Sequence, residues 1–167
     1  MSEKFVFFWS PDKKNYGDKA VFSNWYPSKF KDSEGIEYAH VEQYMMHEKA
    51  LLMGDTETAL QIMETDNPAR CKRLGRKVRN FDQERWLKCA CNIVTNGLYL
   101  KFSQNEELKE ILLRTDDKIL VEASLYDTLW GIGMIESDPN VLNSTQWKGK
   151  NWLGKCLMDV RKRLNNL

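Results

Sequence analysis

The chain has 167 residues, of which 42% are hydrophobic and 29% charged, and its formal net charge is +1. That length and mix suit one domain with one sizeable core, and the near-neutral global balance by itself implies no nucleic-acid or membrane partner, while a local basic patch could still bind a phosphate. No run approaches the roughly 18 apolar residues of a membrane span. The opening "MSEKFVFFWSPDKK" does not read as a signal peptide: its apolar run is short and no small-residue cleavage pattern follows. Cys71, Cys89, Cys91 and Cys156 form no CxxC pair, so they read as free thiols of a reducing, cytoplasmic compartment.

In chain order, "KFVFFW" is strand-like and stops at Ser10-Pro11. A polar loop follows, and "AVFSNWYP" restarts order before Pro27. "SKFKDSEGIEYA" reads as a hairpin, with Phe30 and Ile36 at strand positions and Asp32 to Gly35 as the turn. From His40 the period changes, and "HVEQYMMHEKALLMG" predicts a helix ending near Gly54. Thr56 caps the next predicted helix, and Asp66 or Asn67 with Pro68 starts another. The longest predicted helix begins at an Asp82 cap, with Trp86, Leu87, Ala90, Cys91, Val94, Leu98 and Tyr99 as a wide apolar stripe. A shorter helix over "NEELKEILLRT", a strand at "KILVEAS" and a closing helix from "NWLGKCLM" complete the chain. The pattern is α+β: one compact, mostly helical domain over 1–167, its small sheet made from N-terminal strands and one late strand. Strands and helices do not alternate regularly and no GxGxxG follows a strand, which argues against the doubly wound dinucleotide fold.

Glu42, Met45, Met46 and Lys49 fall at i, i+3, i+4 and i+7 and so share one helix face. Two readings stay open there. One is a surface carboxylate with a snorkelling lysine. The other is a pocket rim, where a desolvated Glu42 serves as general acid or base and Lys49 binds an anion or attacks a carbonyl-like carbon. His40 and His47 come without HExxH spacing or nearby cysteines, so no metal is expected. Arg70, Lys72, Arg73, Arg76, Lys77 and Arg79 crowd one short run, either a solvated face or an anion site with Arg76 turned inward. In "VEASLYDTLWGIG", Glu122 ends a strand and Asp127 follows in a loop. Trp130 offers a π face there, and Gly131 permits close backbone approach. Lys148, Lys150 and Asn151, before a helix, suit a phosphate at a helix N-terminus. These signals together describe a site for a phosphorylated or nucleotide-like small molecule.

The pieces "FSNWYP", "HVEQYMMHEK", "ARCKRLGR", "ILVEASLYDTLWGIG" and "GKNWLGKCLM", with a tryptophan in the long helix, stand in the order of a known family. The chain resembles the NADAR superfamily of NAD- and ADP-ribose-associated, YbiA-like domains over nearly its full length. That family's usual Glu-His-Tyr reads Glu42-Gln43-Tyr44 here, with Lys49 following. Asp127, Trp130 and Gly131 match its Asp-x-x-Trp-Gly.

The resemblance implies cleavage of an N-glycosidic bond to ribose, without a cofactor. The substrate would be a ribosylaminopyrimidine phosphate of the riboflavin pathway or an ADP-ribosylated guanine in DNA. It implies Glu42, Lys49 and Asp127 as catalytic, with Asn24, Tyr44, Arg76, Trp86, Glu122, Trp130, Gly131, Lys150 and Asn151 binding substrate. The alternative reading is a non-catalytic module that binds ADP-ribose or a related nucleotide.

Overall fold

The computed structural model describes residues 4–167, so residues 1–3 at the head of the segment weighed as a signal peptide lie outside it. The chain forms two compact units, Pro27–Asn105 and residues 4–26 with Glu106–Leu167.

The unit Pro27–Asn105 opens with β2 (Phe30–Lys31) and β3 (Glu37–Tyr38), paired antiparallel with Phe30 opposite Tyr38. Asp32 makes the turn: its Oδ1 accepts from the backbone N–H of Glu34 and of Ile36, each at 2.9 Å. Ile36 therefore belongs to the turn, one residue short of β3. Four helices follow: α2 (Val41–Leu52), α3 (Thr56–Met63), α4 (Pro68–Arg76) and α5 (Gln83–Gln104). α3 is capped by Asp55 rather than Thr56, because the Asp55 carboxylate reaches the Thr58 N–H. Asn67, with Pro68 behind it, caps α4, and Asp82 caps α5.

α2 is the central helix, buried nearly all round, with α3, α4 and α5 packed on it. Two glycines allow that packing. A Cβ on Gly75 of α4 would lie 1.9 Å from Met46 Sδ, and one on Gly97 of α5 would lie 2.7 Å from the Tyr44 ring. Trp86, Ala90, Val94 and Leu98 form the inner stripe of α5. Leu87 is exposed and Cys91 and Tyr99 are half-buried, so the stripe is narrower than the sequence suggests.

The other unit contains β1 (Phe5–Phe8), α1 (Lys13–Tyr16), a 3₁₀ segment at Gly17–Phe22, α6 (Glu106–Leu113), β4 (Ile119–Glu122) and α7 (Trp152–Asn165). β1 and β4 pair in parallel, from Phe5 opposite Ile119 to Phe8 opposite Glu122. The small sheet is thus two separate two-stranded ladders, with the late strand joined to β1. Phe7, Val121, Ala123, Ile132, Met134 and Val141 form a core cluster beside this pair. α7 lies directly on β4, where a Cβ on Gly154 would come 2.0 Å from the Leu120 carbonyl oxygen.

No helix among the described residues is long and apolar enough to cross a membrane. The four cysteines are free thiols.

Candidate functional site

Helical spacing puts Glu42 and Lys49 on one face of α2, and packing turns that face inward. Glu42 is only 5% exposed and Met45 and Met46 are buried, which removes the surface-carboxylate reading. Lys49 is half-buried, its ammonium 4.8 Å from the Phe81 ring centroid and 5.7 Å from that of Trp86. Burial pushes the Lys49 pKa down; the Glu42 carboxylate draws it up, and the Arg76 guanidinium pushes it down again. Glu42 and Arg76 therefore both act electrostatically on Lys49, with Trp86 and Phe81 against the amine. Arg76 comes into range because the preceding Gly75 lets α4 close on Met46.

Phe81 has no counterpart in the sequence-derived site. The signal was there: relative to the Asp82 cap, Phe81 is N′ and Trp86 is N4, the spacing of a hydrophobic staple. The structure brings both rings of that pair to Lys49.

Tyr44 turns the other way. Two residues from Glu42 is about 200° round a helix, and the ring packs among Phe30, Tyr38 and Gly97. Its hydroxyl accepts from Asn96 Nδ2 at 2.6 Å. Gln43, at the position of the family's usual histidine, is a buried bracket. Its Oε1 accepts from the Ala39 N–H at 2.7 Å, and its Nε2 donates to the carbonyls of Ile62 and Thr65. Both histidines are held in place as well. His40 Nδ1 caps α2 while its Nε2 sits 2.7 Å from the Asp66 carbonyl, and His47 Nδ1 lies 3.2 Å from the Tyr38 hydroxyl. Among the described residues, no group of three or more His, Cys, Asp or Glu is placed to hold a metal ion.

The basic run is exposed throughout, from Arg70 to Arg79. Arg79 is tied down: its side chain meets Asp55 at 2.9 Å and Glu57 at 3.2 Å.

In the unit of residues 4–26 and Glu106–Leu167, positions are set by main chain. Asp127 Oδ1 accepts from the backbone N–H groups of Leu129 at 3.0 Å and Trp130 at 2.8 Å, which closes the turn that presents Trp130. Gly131 follows where a Cβ would stand 2.9 Å from the Asp127 carbonyl oxygen and 3.0 Å from that of Glu122. The Trp130 ring meets Trp152 edge-on at 5.7 Å, and the Lys150 ammonium lies 5.8 Å from the Trp152 ring centroid.

At the start of α7, where a phosphate is expected, two main-chain donors are already engaged. The N–H groups of Trp152 and Leu153 donate at 3.1 Å to the carbonyls of Leu129 and Trp130. Those two amides of the first turn are thereby taken by main-chain acceptors. Asn151, in the left-handed region at φ 54°, uses its side chain to extend β4: Oδ1 accepts from the Glu122 N–H, and Nδ2 donates to the Leu120 carbonyl. Asn24 is buried, and its Oδ1 has no hydrogen-bond partner among the described residues.

Comparison with known proteins identifies the setting of these residues. The NADAR domain family matches residues 7–165. An N-glycosidase of Acanthamoeba polyphaga mimivirus is 44% identical over 165 residues, covering 96% of each chain. Protein irg-1 of Caenorhabditis elegans is 39% identical, over 89% of this chain and 77% of its own. The NMR structure of the Escherichia coli protein YbiA superposes with a TM-score of 0.79 at 28% identity, covering 99% of this chain and 88% of its own. The YbiA sequence itself is that of a protein named N-glycosidase.

Proposed function

This chain belongs to the NADAR domain family, and from that premise we propose that it is an N-glycosidase. The bond cut is the one between ribose C1 and a ring nitrogen or amine, in a ribosylated phosphate or ADP-ribosyl substrate. The observation that carries the reading is the buried Glu42 carboxylate set with the half-buried Lys49 amine and the Arg76 guanidinium, against Trp86.

Breaking a C1–N bond builds positive charge on the sugar, and a desolvated carboxylate stabilises that charge best where water does not screen it. Glu42 has this role. The leaving nitrogen departs with the bonding electron pair and takes up a proton, and water supplies the hydroxyl that ends on C1. Lys49 has two possible parts. As an ammonium it binds substrate phosphate. As a free amine, favoured by its lowered pKa, it adds to C1 of the ring-opened sugar imine and expels the base nitrogen, which leaves with the bonding pair and takes up a proton; water then hydrolyses the resulting Schiff base to the sugar aldehyde and returns the amine. Trp86 and Phe81 give an aromatic wall for the base, and Arg76 offers a planar fork to phosphate.

Asn24, expected to bind substrate, lies in the other unit with its Oδ1 buried. Asp127 contributes by fixing the turn that carries Trp130.

The lead substrate is a small ribosylaminopyrimidine phosphate. Exposed Arg70, Lys72, Arg73 and Lys77 on and beside α4 favour a second class, ADP-ribosylated guanine in DNA. Incubation with each substrate, followed by mass spectrometry, separates them. Release of the free pyrimidine assigns the first, and release of ADP-ribose assigns the second. Binding of ADP-ribose without cleavage of either makes the chain a binding module. Borohydride trapping of a Lys49 adduct distinguishes the amine from the anion-binding role.

A further inference from the structure

A second cleft, in the unit of residues 4–26 and Glu106–Leu167, has no part in the proposed chemistry. Its volume is about 670 Å³, and Glu42, Lys49, Arg76 and Trp86 are not among its lining residues. That volume falls within the roughly 300–1,000 Å³ of small-molecule sites. We propose that this cleft binds a nucleobase-like heteroaromatic ring, held between Trp9 and Tyr126 with its polar edge at the Lys19–Glu136 pair.

Three observations converge. The first is misplaced apolar surface: Trp9 is 53% exposed and Tyr126 is 92% exposed, and both line the cleft. A folded chain gains nothing from leaving two large rings in water around one concavity, and such a patch marks a binding surface. Tyr16, edge-on to Trp9 at 6.4 Å between centroids, adds a third ring.

The second is polar chemistry at the same place. Lys19 Nζ and Glu136 Oε1 are 3.1 Å apart and both are partly exposed. They present a donor beside an acceptor, which matches the mixed acceptor and N–H edge of a purine or pyrimidine. An aliphatic ligand would leave that pair unused.

The third is that the walls are set by backbone. The Ala123 N–H donates to the Phe8 carbonyl at 2.9 Å, and the Met134 N–H donates to the Ser124 carbonyl at 3.0 Å. The segment carrying Tyr126 thus leaves a strand end held at Ala123 and Ser124, and the Lys19–Glu136 pair joins the 3₁₀ segment to another lining residue.

The test is an NMR titration of the whole protein with guanosine monophosphate, adenosine monophosphate and, as a ring-free control, ribose 5-phosphate. The expected result is that the nucleotides shift the Trp9 indole and the Ser124–Tyr126 amides while ribose 5-phosphate does not. Trp9→Ala and Tyr126→Ala should each weaken binding by about tenfold, consistent with a stacking contact. Trp9→Phe keeps an aromatic ring, guards against misfolding, and should retain most of the affinity. Nucleotide binding that leaves these signals unmoved, equal shifts with ribose 5-phosphate, or no binding at all overturns the proposal. Because the readout is binding at Trp9 and Tyr126, loss of glycosidase activity in Glu42→Gln (E42Q) leaves this result unaffected.

Discussion

The two units hold their functional side chains by different means. In Pro27–Asn105, capped helices cross closely and side chains do the positioning. Gln43 brackets three backbone groups, Asp55 ties α3 to Arg79, and Gly75 lets α4 press against Met46. In the other unit, irregular backbone holds irregular backbone. Residues 128–132 accept from the amides of 148–153, and Asn151 imitates a strand partner for β4. Side-chain scaffolds adapt when a residue changes, because rotamers can move. Backbone scaffolds do not, because carbonyls cannot retreat without breaking their ladder.

The largest expected effect tests the chemistry assigned to the helical unit. Glu42→Gln is nearly isosteric in a buried position, so folding should survive while turnover falls by about 10³-fold, as for loss of an electrostatic or acid–base group. A variant that turns over at the wild-type rate removes Glu42 from the mechanism.

The next is a matched pair that confronts the two scaffolds directly. Gly154→Ala drives a methyl against the Leu120 carbonyl and should destabilise by about 3 kcal/mol. Gly75→Ala meets Met46 alone, most closely at the mobile Sδ, and gains helix propensity, so its change should stay within about 1 kcal/mol. Urea unfolding of both variants decides it, and equal losses would refute the distinction. Gln43→Ala should cost about 2 kcal/mol, since it removes the acceptor of the Ala39 N–H and leaves the Ile62 and Thr65 carbonyls only the weak Cys71 thiol donor.

Smaller effects sharpen the picture of the helical unit through pH. Arg79 holds the Asp55 carboxyl well below the usual range. Its stabilising contribution is present above the unfolded pKa, near about 3.9, and is lost as pH falls through the lower folded value. Asp55→Asn should flatten the fall of melting temperature in acid. Lys101 is fully buried, and desolvation lowers its pKa to about 7. Its contribution is fully present above the unfolded pKa of roughly 10.4 and declines as pH falls to the folded one. Melting temperature should therefore rise from neutral pH to about 10, and Lys101→Met should remove that slope.

Legibility followed the same division. The helices of Pro27–Asn105 could be read almost residue by residue, because caps and 3.6-residue periodicity are local. The one-residue error at Asp55 is a choice between adjacent capping residues that only geometry resolves. The shared face of Glu42 and Lys49 was equally plain, whereas its inward direction was not, since periodicity gives a face and not its neighbour. In the other unit the motif around Trp130 stood out, but its partners did not. Two amides at the phosphate seat expected before α7 donate to carbonyls more than 20 residues away in sequence. The pairing of β1 with β4 joins segments more than 100 residues apart, a relation that no local pattern carries.

By itself, then, the sequence determined the helical faces, the caps at Asn67 and Asp82, the turn at Asp32 and the family resemblance, because each is written in short-range spacing. Tertiary structure alone decided that Glu42 is buried, that Phe81 joins Trp86 at Lys49, that Gln43 and Asn151 serve the backbone, and that Trp9 and Tyr126 flank a cleft. Burial and the pairing of orphan polar groups depend on which distant segments meet, and that is settled only when the chain closes on itself.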